Sequence, residues 1–277
     1  MDRSGFSPGL VDGLVGSKTR LALRTFQAST GLKVTGEPDE ATRQALGLDT
    51  QSALRRIVLS DTDLTLVGPW PKSWREKAEA KFLGYESLAA LAAEQGHCSL
   101  RLLARLNPGK NLDALKPGDS LIVPNATRPE TAIRAASIQV DFARKVVWVL
   151  DREGHVVSLF HCSIAADPGN LPGGTCSVAT IAMDPAYVFD PVKWPEVKGV
   201  DQRLVIPPGP RNPVGLCWIG LSLHGYGIHG TPAPELIGKT GSHGCIRLTN
   251  WDALQLAAMV RVGTPVRFVD GSSSASR

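Results

Sequence analysis

The chain has 277 residues, 43% of them hydrophobic and 20% charged. This excludes disorder and supplies enough apolar material for two or three domains with real cores. The formal net charge of +4 is too small to point to nucleic acid, and ordinary solvation explains a mildly basic surface without an anionic partner. No run reaches the roughly 18 apolar residues of a membrane span.

The first segment, 1–50, is predicted to be helical. Ser17 is a candidate N-cap, Ala22 and Leu23 meet Phe26 at helical spacing, and Gly31 stops a helix that runs to Thr30. Pro38 opens a second helix, Asp39 and Glu40 favour its first turn, and Gly47 ends it. The second segment, 51–131, predicts a helix from Leu88 to Gln95 closed by Gly96, and another from Leu100 to Leu106 capped by Ser99. Leu115-Lys116-Pro117-Gly118-Asp119 then turns into a strand from Ser120 to Val123. Ahead of the helices, Trp70 and Trp74 lie near Pro69 and Pro71 and give no clean strand.

The third segment, 132–270, is predicted to be mostly strands. Ile138, Val140 and Phe142 alternate with Ser137, Gln139 and Asp141, whereas Lys145 to Leu150 is a more continuous apolar run. Asp151-Arg152-Glu153-Gly154 makes a hairpin turn into the next strand. Further strands are expected near 177–183, 216–221, 227–229 and 266–269, with one helix from Trp251 to Arg261, capped by Asn250 and stopped by Gly263. Many short strands with one late helix predict a mainly-β sandwich or partly open barrel. The fold class is therefore multidomain α+β, and 271–277 is a Ser-rich flexible tail.

The chemistry concentrates in HGYGIHGTPAPELIGKTGSHGCIRL, residues 224–248. Cys245 stands directly behind His243 and Gly244, and His229 occupies its own Gly-Ile-His-Gly-Thr turn. A thiol attacks carbonyl carbon well only as thiolate, and its free pKa is about 8.5, so a nearby imidazole is the usual activator. Gly241 and Gly244 let the backbone turn sharply and let main-chain N–H groups converge, as an oxyanion hole requires. A zinc site from His229, His243 and Cys245 is open by ligand type. The spacing matches no usual zinc pattern and no fourth ligand is evident, so no metal and no cofactor are expected.

His229 followed by Ser242-His243-Gly244-Cys245-Ile246-Arg247 resembles the signature of the L,D-transpeptidases of bacterial peptidoglycan, with the YkuD-type fold. Gly209-Pro210-Arg211-Asn212-Pro213-Val214-Gly215 and Trp218-Ile219-Gly220-Leu221 upstream, and Leu248-Thr249-Asn250 and Asp252 downstream, fit the same family. Residues 1–50 are similar to a peptidoglycan-binding-1 module from which the first helix is missing. That implies a start inside the module, with any export signal upstream. Residues 51–131 are similar to the second half of a LysM module, or serve as a spacer.

The resemblance implies Cys245 as nucleophile and His229 as base, oriented by the backbone carbonyl of Gly230. The N–H groups of His243, Gly244 and Cys245 would bind the oxyanion. It implies attack on the L,D-bond of a tetrapeptide stem, loss of D-alanine, and resolution of the thioester by an acceptor amine to give a 3→3 cross-link. Expected partners are stem peptides, glycan strands, a lipoprotein acceptor and carbapenem inhibitors, in the periplasm or cell envelope. Arg247 either pairs with a substrate carboxylate or pins the loop; Ser242 hydrogen-bonds the loop; Tyr226 either lines the donor site or packs. Water as acceptor would make a carboxypeptidase or endopeptidase, and a silent wall-binding protein is the more distant alternative. His224, His97, His155 and His161 carry no motif. Cys162 and Cys217 read as buried hydrophobes, and Cys162 could meet Cys176 across neighbouring strands.

Overall fold

The computed structural model describes residues 1–271 other than 49, 51, 70, 127, 129–132, 195, 242 and 243. Trp70, Ser242, His243 and the tail beyond residue 271 therefore lie outside the described residues.

The N-terminal part holds α1 (Ser17–Ser29) and α2 (Glu40–Ala45). The cap of α1 is Gly16, which offers no side chain, so Ser17 is the first helical residue and not the cap. Asp39 caps α2, its carboxylate accepting from Thr42 N at 3.0 Å, so Pro38 precedes this helix instead of opening it. Buried Gln27 joins the two: its amide nitrogen donates to Thr42 Oγ1 at 2.9 Å and its oxygen accepts from Gly36 N at 2.8 Å.

In the middle, β1 (Leu54–Val58) pairs antiparallel with β2 (Ser120–Pro124). Between them run α3 (Asp61–Thr65), α4 (Trp74–Glu79), α5 (Leu88–Gln95) and α6 (Leu100–Leu106). Ser87 and Ser99 cap α5 and α6 at the predicted places. The strand β1 and the helices α3 and α4 are additions to the sequence reading. Each of the two helices opens on a capping box, Ser60 with Asp63 and Ser73 with Glu76. That signal is local and was legible. In β1 only Ile57 turns a buried side chain inward, too little alternation to stand out.

The remaining strands are β3 (Ser137–Asp141), β4 (Val146–Leu150), β5 (Val156–His161), β6 (Thr175–Met183), β7 (Tyr187–Phe189), β8 (Leu204–Ile206), β9 (Cys217–Leu221), β10 (Gly227–His229), β11 (Ile246–Arg247) and β12 (Pro265–Val269), with α7 (Asn250–Met259) before β12. Eight of them form one mixed sheet in the order β11-β10-β9-β6-β12-β3-β4-β5, while β7 and β8 pair as a separate hairpin. The sheet's two ends meet: Ser163 N donates to Arg247 O and Arg247 N to Ser163 O, both at 2.9 Å. Of the two predicted options, the sheet is thus the barrel-like one. Its interior is filled by Val149, Phe160, Ile219 and Ile228, with Leu256 and Met259 from α7. Cys162, just past the end of β5, and Cys176 of β6 are separated by three strands and do not face each other across neighbouring strands. All five cysteines are thiols.

The continuous apolar run in β4 has a tertiary cause. Val147 and Val149 face the barrel interior, while Val146 and Trp148 point outward and are covered by Phe6, Ala22 and Phe26 of the N-terminal part. A strand covered on both faces loses its alternation. The same contact shields the sheet's outer strand: Ser7 N donates to Leu159 O at 2.9 Å and Leu159 N to Gly5 O at 3.1 Å.

A buried ionic cluster joins all three parts. Arg128 bridges Asp2 and Asp252. Asp2 also meets His97 Nδ1 at 2.7 Å, and Ser7 Oγ donates to Asp252 at 2.8 Å. Burial alone would raise the Asp2 carboxyl, but Arg128 and His97 outweigh it and hold it below the usual range. Asp252, fully enclosed and repelled by Asp2, is pushed upward in spite of Arg128.

Candidate active site

The pairing of β10 with β11 sets the site. These strands run parallel with Ile228 opposite Ile246 and His229 opposite Arg247, which puts Cys245 at the entry to β11. The Cys245 thiol donates to the Gly225 carbonyl at 3.7 Å. Burial raises its pKa, and the Gly227 N–H, Arg247 and Lys193 oppose that rise.

His229 is buried, and its Nδ1 lies 2.6 Å from the Gly230 carbonyl oxygen. A carbonyl only accepts, so Nδ1 carries the hydrogen and Nε2 keeps its lone pair. Burial is the main reason its pKa falls to about 4; the Gly230 carbonyl opposes the shift and Arg247 adds to it. Near neutral pH the site therefore holds a neutral thiol and a neutral imidazole.

The glycines around His229 have steric causes. Trp218, the register partner of His229 on β9, stacks on the imidazole at 5.7 Å between centroids. Its ring crosses Gly227, where a Cβ would lie 2.4 Å from it. On the other side Asn250 Oδ1 would stand 2.0 Å from a Cβ at Gly215 and 2.3 Å from one at Gly230. Gly215 also has φ +64°, a backbone conformation that suits glycine. Asn250 is not the predicted helix cap. Thr249 caps α7, accepting from Asp252 N at 3.2 Å, and the Asn250 side chain turns inward, accepting from Leu216 N at 3.2 Å.

The other predicted residues are placed as follows. The Arg247 guanidinium donates to the Gly241 carbonyl at 3.3 Å. The Tyr226 ring packs over Gly244, and its hydroxyl donates to Asn170 O at 3.1 Å. His224 and His155 are exposed, while His97 and His161 sit where the N-terminal part meets the rest; His161 Nε2 lies 3.1 Å from Lys18 O. Among the described residues no three His, Cys, Asp or Glu side chains group to hold a metal ion, and no helix is long and apolar enough to cross a membrane.

Sequence reasoning missed the hairpin β7–β8 beside the site. Lys193, in the turn that follows β7, acts electrostatically on Cys245, and Tyr187 of β7 feels the Cys245 charge in turn. Trp74 of α4 stacks on Phe189 of this hairpin at 4.2 Å. No local pattern signals that arrangement, because its two halves are about a hundred residues apart.

The L,D-transpeptidase catalytic domain model of the YkuD family matches residues 135–268, and the model described as "Putative peptidoglycan binding domain" matches residues 2–46. The chain is 29% identical over 181 residues to "Putative L,D-transpeptidase YkuD" of Bacillus licheniformis, covering 65% of this chain and 92% of that protein. It is 29% identical over 188 residues to "Probable L,D-transpeptidase ErfK/SrfK" of Escherichia coli, 67% of this chain and 60% of that one. A solved structure of the L,D-transpeptidase LdtMt1 in complex with imipenem aligns at a TM-score of 0.37 and 20% identity, over 48% of this chain and 57% of that one. The chain therefore carries a catalytic domain of the YkuD L,D-transpeptidase family, preceded by a peptidoglycan-binding module.

Proposed function

We propose that the protein is a peptidoglycan L,D-transpeptidase acting in the cell envelope, with Cys245 as nucleophile and His229 as general base. The observation that carries this reading is the 2.6 Å contact of His229 Nδ1 with the Gly230 carbonyl. It leaves Nε2 as the basic atom on the strand next to Cys245. In the first half-reaction the thiol proton passes to Nε2 and a C–S bond forms at the carbonyl of the L,D-peptide bond. The C–N bond breaks, and the proton leaves with the amine of D-alanine. Main-chain N–H groups of His243, Gly244 and Cys245 are the oxyanion donors in this reading; one such donor is worth about 3–4 kcal/mol. In the second half-reaction an acceptor amine attacks the thioester, its proton returns through His229 to the sulfur, and an amide replaces the thioester.

Stem peptide, lipoprotein lysine and water are the candidate acceptors; the first gives a 3→3 cross-link. Residues 1–50 and 51–131 would hold the enzyme on glycan strands; in the second, the pairing of β1 with β2 and their shared core with α5 and α6 support its LysM-like reading, with α3 and α4 added between β1 and α5. A strained β-lactam such as a carbapenem offers the same thiol an acyl group to trap. The test is intact-protein mass after incubation with a tetrapeptide stem, with and without an amine acceptor, beside Cys245→Ala. A Cys245-dependent adduct with release of D-alanine and a cross-linked product is expected. Tripeptide alone with acceptor in excess would make the protein a hydrolase, and no adduct at all would leave a wall-binding protein.

A further inference from the structure

A cavity of about 430 Å³ lies between the middle segment and the catalytic domain, lined from both sides by residues that include Tyr85, Glu94, Pro210, Arg211 and Trp251. Glu94, near the end of α5, accepts from Asn250 Nδ2 at 3.1 Å, and the Tyr85 hydroxyl is its second partner. Asn250 Nδ2 gives its other hydrogen to Pro210 O at 3.2 Å, while Oδ1 takes the Leu216 N–H. The amide is thus fixed in one orientation: flipped, its oxygen would face the Pro210 carbonyl and its NH₂ the Leu216 N–H. In the fixed orientation Oδ1 lies against Gly215 and Gly230. Gly230 is the residue whose carbonyl takes the His229 Nδ1 hydrogen.

We propose that Glu94, contributed by the middle segment, is a positioning residue for the His229 imidazole: by fixing the Asn250 amide against Gly230 it holds the carbonyl that selects the Nδ1–H tautomer. The proposal rests on the reading of His229 as the base. It makes the middle segment part of the catalytic apparatus as well as a tether. Burial pushes the Glu94 carboxyl up to about 7, so near neutral pH it is often the neutral acid. Its carbonyl oxygen accepts from Asn250 in either state, and a glutamine side chain copies that acceptor.

The test compares the full chain with Glu94→Gln and Glu94→Ala. The readouts are kcat and KM on a tetrapeptide donor, the ¹⁵N signals of the His229 ring, and thermal melting to confirm folding. Glu94→Ala is expected to lower kcat about tenfold, the scale of a small misplacement at a reacting centre, with KM little changed. Its His229 signals should move from the pure Nδ1–H form toward mixed tautomers, and Glu94→Gln should restore both. An alanine variant with wild-type kcat and wild-type ring signals overturns the proposal. So does a glutamine variant as impaired as the alanine one with its ring signals unchanged. If the wild type turns over no stem peptide, the functional reading fails separately, and the ring signals of Glu94→Ala still decide the positioning role.

Discussion

Replacing Arg128 by Met tests whether the ionic cluster holds the three parts together. The side chain is only 6% exposed, and so are its partners Asp2 and Asp252 at 9% and 0%. Each carboxylate is attracted to the guanidinium by on the order of 5 kcal/mol at an effective dielectric constant near 20. Much of that offsets the cost of burying the charges. What the variant reveals is the penalty of leaving two buried carboxylates without their cation, typically about 3–5 kcal/mol. Loss of the contact between Arg128 and the Phe160 ring, 5.7 Å away, adds up to about 1 kcal/mol. For a chain of this size a loss near 4 kcal/mol lowers Tm by roughly 10 °C. The pH dependence gives a second check. Without Arg128 burial raises the Asp252 carboxyl further, while Asp2 keeps His97, so the variant regains stability as Asp252 protonates, and the gap to the wild type narrows as pH falls from 7 to 4. Scanning calorimetry across that range measures both effects. A loss below about 1 kcal/mol, or a gap indifferent to pH, would refute the reasoning and leave the cluster a passive filler.

Three further outcomes are expected. His229 and His161 are both lowered from 6.5 to about 4 by burial. Their contribution is full above pH 6.5 and is lost as pH falls through 4, on the order of 3 kcal/mol for each; unfolding by urea at stepped pH reads this, and a flat profile between pH 7 and 4 would contradict it. Gly230→Ala places a Cβ where Asn250 Oδ1 stands 2.3 Å away. A loss of about 1–3 kcal/mol by overpacking and a marked fall in Cys245 acylation by a carbapenem are expected, while unchanged acylation would mean that the loop yields freely. Trp74→Ala removes the stack on Phe189 at 4.2 Å. Faster proteolysis within residues 184–208 should follow, with the barrel still protected from hydrogen exchange; equal cleavage rates would show that α4 does not brace the hairpin.

The sequence determined what depends on neighbours along the chain. The serine caps of α5 and α6, the Asp151–Gly154 turn and the alternation of β3 were legible because each is a hydrogen bond or a side-chain period within a few residues. The residue types around Cys245 and His229 named the chemistry for the same reason: a thiol, an imidazole and the glycines their turns require stand close together in the chain. Tertiary structure decided the rest. The β4 run became a strand covered on both faces only because Phe6 and Phe26 arrive from far upstream. The barrel option won over the sandwich through two hydrogen bonds between Ser163 and Arg247. Asn250, which reads locally as a helix cap, turned inward because Thr249 could cap α7, while the Leu216 N–H, the Pro210 carbonyl and Glu94 awaited it inside. Those partners lie 34 to 156 residues away, and a buried polar group goes where its hydrogen bonds can all be made.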